Sequence, residues 1–401
     1  MTPAGMLPPQ EWMSDPRTRA VMAALAANGL PARFVGGCVR NAILGRTVSD
    51  IDIATTAEPA QVIASLERAG LKAVPTGVEH GTVTAVSGGK PYEITTLRKD
   101  VETTGRHARV SFTDDWVGDA QRRDFTMNAL YADADGTLYD PVDGLADLQA
   151  RRVRFVGEPA RRITEDYLRI LRFFRFHAHY GRPPADAAAL GACRAHAQGL
   201  RQLSAERVSQ ELLKLLGADD PAVVLRLMRE ADVLDVVLPE ATNVDRLQAL
   251  TRIDDKDPIR RLAAVLEVTP HEAEGLAGRL RLSVRDRNRL VRAAKKELTI
   301  DAGQRAIRAH LYRLGLEPFV DQVYLRAAET GTSPAALLQG GQTWRVPEFP
   351  LRGDDVLALG VERGPAVGTL LRAVEDWWIG RDFVPGREEL LGELRRAAKG
   401  S

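Results

Sequence analysis

Cysteine is scarce in this 401-residue chain, which contains only Cys38 and Cys193. Neither has a partner at the spacing of a zinc-ligand pair or a redox motif, so the sequence argues against a disulfide framework or a structural zinc site. Such scarcity is typical of proteins from a reducing compartment, and we expect a cytoplasmic location.

Long apolar runs are also missing, since nowhere do about 18 apolar residues follow one another. The first residues lack a basic start followed by an apolar stretch, and we therefore expect neither an export signal nor a membrane anchor. The net charge is only +1, with 44% hydrophobic and 27% charged residues. This composition is typical of a globular chain of two or more domains, and the global charge does not indicate a nucleic-acid partner.

Charge of one sign is concentrated locally, between Arg151 and Phe176. Eight arginines stand against three acidic residues there: Arg151, Arg152, Arg154, Arg161, Arg162, Arg169, Arg172 and Arg175 against Glu158, Glu165 and Asp166. Such a patch could neutralise the phosphates of RNA. From charge alone, a solvated helix face explains it equally well.

The chain changes character along its length. Short runs with β-branched residues, separated by glycine turns, predict strands at 33–35, 50–54, 82–86, 92–97 and 130–132, with helices at 59–69 and 145–148. After about Ala160, apolar residues at i, i+3 and i+4 predict helices throughout. The predicted fold class is α+β, an N-terminal mixed domain followed by an all-α remainder. The charged segment Lys99 to Trp116, with few large apolar residues, is interpreted as a long mobile loop.

Asp50 and Asp52 form the first candidate for chemistry. Because strand side chains alternate between faces, both carboxylates point one way while Ile51 and Ile53 point into the core. Two like charges so close repel each other unless a cation neutralises them, which favours a divalent metal site. Oxygen ligands suit Mg²⁺, which completes its shell with waters and substrate phosphates. An Asp-x-Asp alone is also common in solvated turns and helix caps.

A glycine pair, Gly36 and Gly37, precedes these aspartates. It joins a predicted strand to a predicted helix, so that backbone N–H groups can approach a phosphate while Arg40 adds positive charge. A glycine pair alone would more often be an ordinary turn. With the Asp-x-Asp strand, the arrangement resembles the nucleotidyltransferase head shared with DNA polymerase β. Glu93, on a later predicted strand, is a possible third carboxylate near the metals or a surface glutamate on an edge strand.

The run DAQRRDFTMNAL, from Asp119 to Leu130, makes the resemblance specific. Together with the head motif, it resembles the class II tRNA nucleotidyltransferase and bacterial poly(A) polymerase family. This resemblance implies a polymerase β-like head followed by an all-α neck, body and tail. It also implies that Arg123 contacts the triphosphate, that Asp124 contacts the ribose 2′-hydroxyl and selects NTP over dNTP, and that residues 139–148 form a hinge between head and neck.

Asp166 and Arg169 lie on a helix predicted from Ile163 to Phe176, with Thr164 as its N-cap. Residues three apart are neighbours on a helix, so an ion pair within the helix is one interpretation. A second interpretation concerns nucleotide bases. Cytosine and adenine present an amino donor beside a ring-nitrogen acceptor, whereas uracil and guanine reverse that order. With Asp166 accepting from the amino group and Arg169 donating to the ring nitrogen, the protein could select C and A without a nucleic-acid template.

The family resemblance is strong over residues 32–216 and modest beyond. It implies that Arg172 and Arg175 reach the triphosphate and that the helical C-terminal half binds tRNA. We place the boundaries at 1–31 for an N-terminal extension, 32–155 for the head, 156–216 for a neck that recognises the base, and 217–401 for the helical body and tail. The family often has Asp where this chain has Asn41. The chain also contains no His-Asp pair, so we expect no metal-dependent phosphohydrolase domain.

The predicted function is addition of C, C and A to the 3′ end of tRNA from CTP and ATP, with two Mg²⁺ ions as cofactors. Alternatives are a poly(A) polymerase, an enzyme that adds only A or only CC, and a non-catalytic RNA-binding protein on the same scaffold. The poly(A) polymerases typically carry a Gly-Arg/Lys-Arg-Phe-type block, where this chain has the stretch 74–84. The intact carboxylates argue against loss of activity. The sequence gives no indication of an oligomeric state.

Overall fold

The computed structural model describes residues 1–104, 107–298, 303–342 and 344–399, with the side chains of residues 100–110 and 342 left out. The chain forms two compact units, Met1–Pro239 and Glu240–Ser401. The finer division into extension, head, neck, body and tail stays a prediction.

Among the described residues, every strand belongs to the first unit. They are β1 (Pro3–Met6), β2 (Ala32–Val35), β3 (Asp52–Thr55), β4 (Lys72–Gly77), β5 (Thr82–Ser87), β6 (Lys90–Thr96), β7 (Arg98–Thr104), β8 (His107–Phe112), β9 (Tyr131–Ala132) and β10 (Thr137–Tyr139). Eight of them form one mixed sheet in the order β1-β10-β9-β2-β3-β6-β5-β4, and β7 and β8 form a separate pair. The predicted strands therefore exist, although the one expected from Asp50 begins at Asp52.

The centre of the sheet carries the residues of chemical interest. Strand β3 pairs antiparallel with β2 and parallel with β6, and this register sets Asp52 opposite Glu93. Ile51 and Ile53 are 2% and 0% exposed, as expected for alternate residues that face the core. Because β6 lies between β3 and β5, the interpretation of Glu93 as an edge-strand residue is wrong.

The prediction of a loop from Lys99 to Trp116 is wrong. Strands β7 and β8 pair antiparallel, with Arg98 opposite Phe112 and Lys99 opposite Ser111, and helix α5 begins at Trp116. The polar composition predicted a loop because the segment has few large apolar residues, whereas the main-chain hydrogen bonds that pair two strands require no particular side chain. Gly105 and Arg106 lie outside the described residues.

Helices complete the first unit. They are α1 (Glu11–Ser14), α2 (Pro16–Ala27), α3 (Gly37–Ile43), α4 (Pro59–Arg68), α5 (Trp116–Gln121), α6 (Gly144–Gln149), α7 (Pro159–Glu165), α8 (Leu168–Tyr180), α9 (Ala187–Ala195), α10 (Ala205–Leu216), α11 (Pro221–Glu230) and α12 (Leu234–Val237), with 3-10 turns at Val78–His80, Thr126–Asn128 and Ala197–Gln202.

The prediction of one continuous helix from Ile163 to Phe176 is also wrong. The chain forms α7 and α8 with a break between them, where Asp166 is extended at φ −157° and ψ 108°. Thr164 does not cap a helix start, because its hydroxyl donates to the Arg161 carbonyl inside α7. The start of α7 is set by Pro159 and by Glu158, whose carboxylate accepts from the N–H groups of the first turn.

The segment predicted as a hinge is anchored to the head. Asp147 is fully buried, and it accepts from the Thr126 hydroxyl at 2.6 Å and from Nε of Arg152 and Arg154 at 2.6 and 2.7 Å. A Cβ on Gly144 would lie 2.3 Å from the Thr126 carbonyl oxygen, so only glycine allows this approach. The mechanical role of the hinge stays a prediction.

The second unit is built from helices alone among its described elements. They are α13 (Val244–Leu250), α14 (Pro258–Val265), α15 (Pro270–Arg279), α16 (Val284–Ala294), α17 (Gln304–Leu314), α18 (Leu316–Thr330), α19 (Ala335–Gln342), α20 (Gly353–Leu357), α21 (Pro365–Ile379) and α22 (Arg387–Lys399). Its interior includes charge, since Arg261 and Asp254 form a salt bridge at 2.8 Å with side chains 1% and 0% exposed. The prediction of an all-helical second half is confirmed over these residues.

Neither cysteine reaches the surface. Cys38 and Cys193 are 1% and 0% exposed, and burial raises the pKa of the Cys38 thiol to about 11. Within the described part of the chain, no helix combines the length and the apolar character needed to cross a membrane.

Candidate nucleotide and metal site

The glycine turn opens helix α3. Gly36 is its N-cap at φ 71°, a backbone conformation that glycine adopts without strain. A Cβ at Gly36 would lie 3.6 Å from the Asn128 carbonyl oxygen and 3.7 Å from Nη1 of Arg123. The turn therefore brings the start of α3 beside the Arg123 guanidinium, as a phosphate-binding turn requires.

Arg40 lies below this turn rather than in the open. It is 7% exposed, and its Nη1 and Nη2 donate to Asn128 Oδ1 at 2.5 Å and to the Tyr180 hydroxyl at 2.7 Å. Its guanidinium also stacks 4.1 Å from the Tyr180 ring centroid. Burial lowers the pKa of Arg40. Arg40 thus joins α3 to α8, and its predicted contact with phosphate stays a prediction.

Asn41 has a defined partner in this arrangement. Its Oδ1 accepts from Nε and Nη2 of Arg40 at 3.2 and 3.0 Å, and its Nδ2 lies 3.3 Å from the Thr47 carbonyl. An amide supplies both the acceptor and a donor. The departure from Asp at this position therefore keeps the bond to Arg40 without adding a negative charge.

The carboxylates gather at the start of β3. Asp52 is partly buried, whereas Asp50 and Glu93 are exposed. Burial and the nearby charges of Glu93 and Asp50 together raise the pKa of Asp52 to about 6, against the opposing effect of Arg123. Asp50 and Glu93 thus lie near enough to Asp52 to act on its charge, and the convergence of these carboxylates on one metal site stays a prediction.

The donor set fits a divalent cation that keeps other ligands. Among the described residues, no three or more His, Cys, Asp or Glu side chains are grouped so that they could hold a metal ion by themselves. A pair of aspartates suits Mg²⁺, because this ion usually takes one or two carboxylates and completes its shell with waters and substrate phosphates. The raised pKa of Asp52 indicates that a cation would be stabilised there.

Arg123 is held from behind by a residue that the motif contained but that we did not predict as functional. Asp119 is fully buried, and it accepts from Nη2 of Arg123 at 3.0 Å and from the Tyr131 hydroxyl at 2.8 Å. The spacing of four residues from Asp119 to Arg123 was the available signal. The pair orients the guanidinium towards the glycine turn.

Asp124 links the head to α8. Its Oδ1 accepts from the Phe125 N–H at 2.8 Å and from Asn128 Nδ2 at 3.0 Å, and its Oδ2 accepts from Nε of Arg172 at 2.8 Å. Burial raises the pKa of Asp124, but Arg172 and Asn128 outweigh it, and the pKa falls to about 2. Asp124 is therefore an ionised acceptor directly beside Arg172.

Asp166 and Arg169 do not bond to each other through their side chains. Asp166 accepts from the Leu168 N–H at 3.1 Å and from Nη2 of Arg207 at 2.6 Å. Arg169 donates to Glu165 Oε2 at 2.5 Å and to the Arg162 carbonyl at 2.7 Å. The simple interpretation as an ion pair between them is wrong, and both side chains have supporting partners.

Two further partners come from α10, which ends the segment 156–216 predicted as the neck, and neither residue was predicted to be functional. Arg207 pairs with Asp166, and Glu211, 5% exposed, accepts from Nε of Arg175 at 2.5 Å and lies 4.0 Å from Nη1 of Arg172. The signal was present, because an arginine and a glutamate four residues apart face one side of a helix. The sequence does not indicate which residues that side of the helix contacts.

Comparisons with known proteins match two segments of the chain to described domains. The domain described as "Poly A polymerase head domain" matches residues 32–154, and "Probable RNA and SrmB- binding site of polymerase A" matches residues 186–244.

Whole-length relatives extend the match. The chain is 34% identical to CCA tRNA nucleotidyltransferase 1, mitochondrial, of Danio rerio, over 92% of this chain and 88% of the relative. It is 32% identical to the CCA-adding enzyme of Limosilactobacillus fermentum, over 94% and 97%. Among solved structures, the Bacillus stearothermophilus CCA-adding enzyme is 28% identical over 96% of this chain and 97% of its own, with a TM-score of 0.76. The chain therefore belongs to the CCA-adding tRNA nucleotidyltransferase family, whose members carry a poly(A) polymerase-type head, and it is a nucleotidyltransferase.

Proposed function

We propose that this enzyme adds C, C and A in turn to the 3′ end of tRNA from CTP and ATP, without a nucleic-acid template and with release of pyrophosphate. The observation that carries the proposal is the Asp124–Arg172 link, which joins the segment that bears Arg123 to the helix that bears Arg169. The similar Bacillus stearothermophilus structure is a complex with CTP, and another solved family structure holds a primer tRNA with an ATP analogue.

Nucleotidyltransferases of this family use divalent metal ions. In the proposal, Asp50 and Asp52 hold two Mg²⁺ ions, with Glu93 as a possible further ligand. The bound ions would activate the terminal 3′-hydroxyl of the tRNA and neutralise charge on the triphosphate.

The protein's own groups position the nucleotide. The backbone N–H of Gly37 and the guanidinium of Arg123 receive the triphosphate, and Arg172 and Arg175 approach it from α8. The Asp124 carboxylate already accepts four hydrogen bonds, from Phe125, from Asn128 and twice from Arg172, so it accepts the ribose 2′-hydroxyl by exchanging one of them. Positioning and charge neutralisation then carry the catalysis, because phosphoryl transfer requires little covalent work from the protein.

The base is read at the break between α7 and α8. Asp166 accepts the exocyclic amino group of cytosine or adenine, and Arg169 donates to the adjacent ring nitrogen. In the structure Arg169 faces Glu165, so reading the base requires Arg169 to share or leave that bond. Charge-assisted hydrogen bonds of this kind are strong enough to distinguish bases.

The test uses three tRNA primers, which end before CCA, after the first C, and after CC, each with Mg²⁺ and a single labelled nucleotide. Full CCA addition predicts CMP incorporation on the first two primers and AMP incorporation on the third. AMP incorporation on the third alone identifies an A-adding enzyme, and CMP incorporation alone a CC-adding enzyme. Long A tails identify a poly(A) polymerase, and incorporation on none refutes the catalytic proposal.

For the compartment we propose the cytoplasm, supported by the two unpaired cysteines. Several relatives are named mitochondrial, so the proposal needs its own measurement. Cell fractionation that finds the protein in an organelle would contradict it.

A further inference from the structure

Helix α10 presents a cation and an anion one turn apart, and each faces a predicted nucleotide-contact residue of opposite charge. Arg207 donates to Asp166 at 2.6 Å, and Glu211 accepts from Arg175 at 2.5 Å. The base-reading end and the triphosphate end of the predicted site therefore have separate supports on one rigid element.

The Asp166 carboxylate is held at two points. Its Oδ1 accepts from the Leu168 N–H at 3.1 Å, and its Oδ2 accepts from Arg207. The side chains of Arg207 and Asp166 are 24% and 21% exposed, so a ligand can reach the pair. Because Asp166 lies in the break between α7 and α8, helix geometry alone does not fix its position.

Selection among bases requires that the Asp166 carboxylate be held in a fixed position. Cytosine offers an amino donor beside the N3 acceptor, whereas uracil offers the O4 acceptor beside the N3–H donor. Asp166 and Arg169 could satisfy uracil equally well if the carboxylate moved to meet N3–H while the guanidinium met O4. The two groups therefore reject uracil only if the acceptor and the donor each stay in place.

We propose that Arg207 is the positioning residue that gives the base reader its specificity. It holds the Asp166 carboxylate in the position where it accepts a hydrogen bond from the amino group of the base, so that CTP and ATP are used in preference to UTP and GTP. This inference rests on the proposed function. Arg207 itself touches neither base nor phosphate in this scheme.

Glu211 provides the contrast. It supports Arg172 and Arg175, which are proposed to meet the triphosphate common to every nucleotide. Loss of Glu211 should weaken the binding of all nucleotides alike, whereas loss of Arg207 should change the preference among them. The two variants thus separate a specificity role from a general structural one.

The experiment measures single-nucleotide addition by the full chain. For R207Q on tRNA that ends before CCA, we expect the ratio of kcat/KM for CTP to kcat/KM for UTP to fall by about tenfold or more, because a charged hydrogen bond is lost. On tRNA that ends in CC, the ratio of kcat/KM for ATP to kcat/KM for GTP should fall to a similar extent. For E211Q we expect a higher KM for every nucleotide with the ratios unchanged. Lys214 is exposed on the same helix, and K214Q, which removes the same charge, should keep the wild-type ratios.

Two results would overturn the inference: an R207Q enzyme that keeps the wild-type ratios, or one that loses activity equally with all four nucleotides. If R207Q does not fold by circular dichroism, R207K serves instead, and it should give an intermediate ratio because a lysine lacks the planar fork of arginine. The double variant D166N/R207Q should be no less selective than D166N, since both changes act on one carboxylate. A wild-type enzyme that adds no nucleotide refutes the proposed function instead.

Discussion

Asp52 carries a conflict between burial and charge that a metal ion would resolve. Its pKa is raised to about 6 by burial and by Glu93 and Asp50. A carboxyl whose folded pKa lies above its unfolded value destabilises the fold when it ionises. The penalty is absent below about pH 4, grows as the pH rises to 6, and is complete above 6.

We therefore expect D52N to be more stable than the wild type in EDTA at pH 8, by roughly 2 kcal/mol, and the difference to vanish near pH 4. Urea unfolding at both pH values measures it. Mg²⁺ should stabilise the wild type and leave D52N nearly unchanged. Equal stability of the two proteins at pH 8 would show that Asp52 is not strained in this way.

Catalysis should depend on both aspartates. For D50A and D52A we expect CMP incorporation to fall by roughly a thousandfold or more, since a metal ion contributes several kcal/mol to such reactions. E67A, which removes an exposed carboxylate on α4, is the matched control and should retain activity. Retained CMP incorporation by either aspartate variant would refute the metal assignment.

At the scale of elements, sequence periodicity predicted the central strands because Ile51 and Ile53 must face the core on alternate positions. It did not predict the break at Asp166, because no proline or glycine interrupts that run. Asp166 contacts Arg207, which is distant in sequence, and periodicity carries no information about such contacts. The β7–β8 pair was missed because its segment carries many charges and few large apolar residues, and so gives little of the apolar pattern by which a strand is predicted from sequence. Contacts between residues distant in sequence, such as Asp124 and Arg172, could be identified only from the fold.

Arg40 illustrates how an apparent phosphate ligand also ties elements together. In R40M, Asn128 and Tyr180 lose their buried partner, and we expect a loss of roughly 3 kcal/mol in the free energy of unfolding. Urea unfolding measures this loss. R19M, a change at an exposed arginine of α2, should cost less than about 0.5 kcal/mol. A stable R40M enzyme with a raised KM for CTP would assign Arg40 to phosphate binding alone.

At the scale of the whole molecule, the predicted nucleotide site lies within one of the two compact units. Asp50, Asp124, Asp166 and Arg207 all belong to Met1–Pro239, whereas the unit Glu240–Ser401 supplies none of the predicted site residues. The first unit also contains most of the segment 186–244 that matches a probable RNA-binding site, whereas the predicted tRNA-binding body and tail, residues 217–401, lie mostly in the second unit.

A chain ending at Pro239 should therefore still bind CTP, with a Kd within about threefold of the full enzyme, while its affinity for tRNA falls by tenfold or more. Calorimetry with CTP and filter binding with tRNA measure the two quantities. Full tRNA affinity in the shortened chain would mean that the second unit has another role.

The buried thiols have a practical consequence for spectroscopy. Cys38 and Cys193 are the only cysteines, and both are inaccessible in the folded protein. A maleimide dye or nitroxide would therefore react with one engineered cysteine alone, without first removing the native ones. Placed at the exposed position Lys214, such a label would report on helix α10 during nucleotide addition, in an enzyme otherwise identical to the natural one.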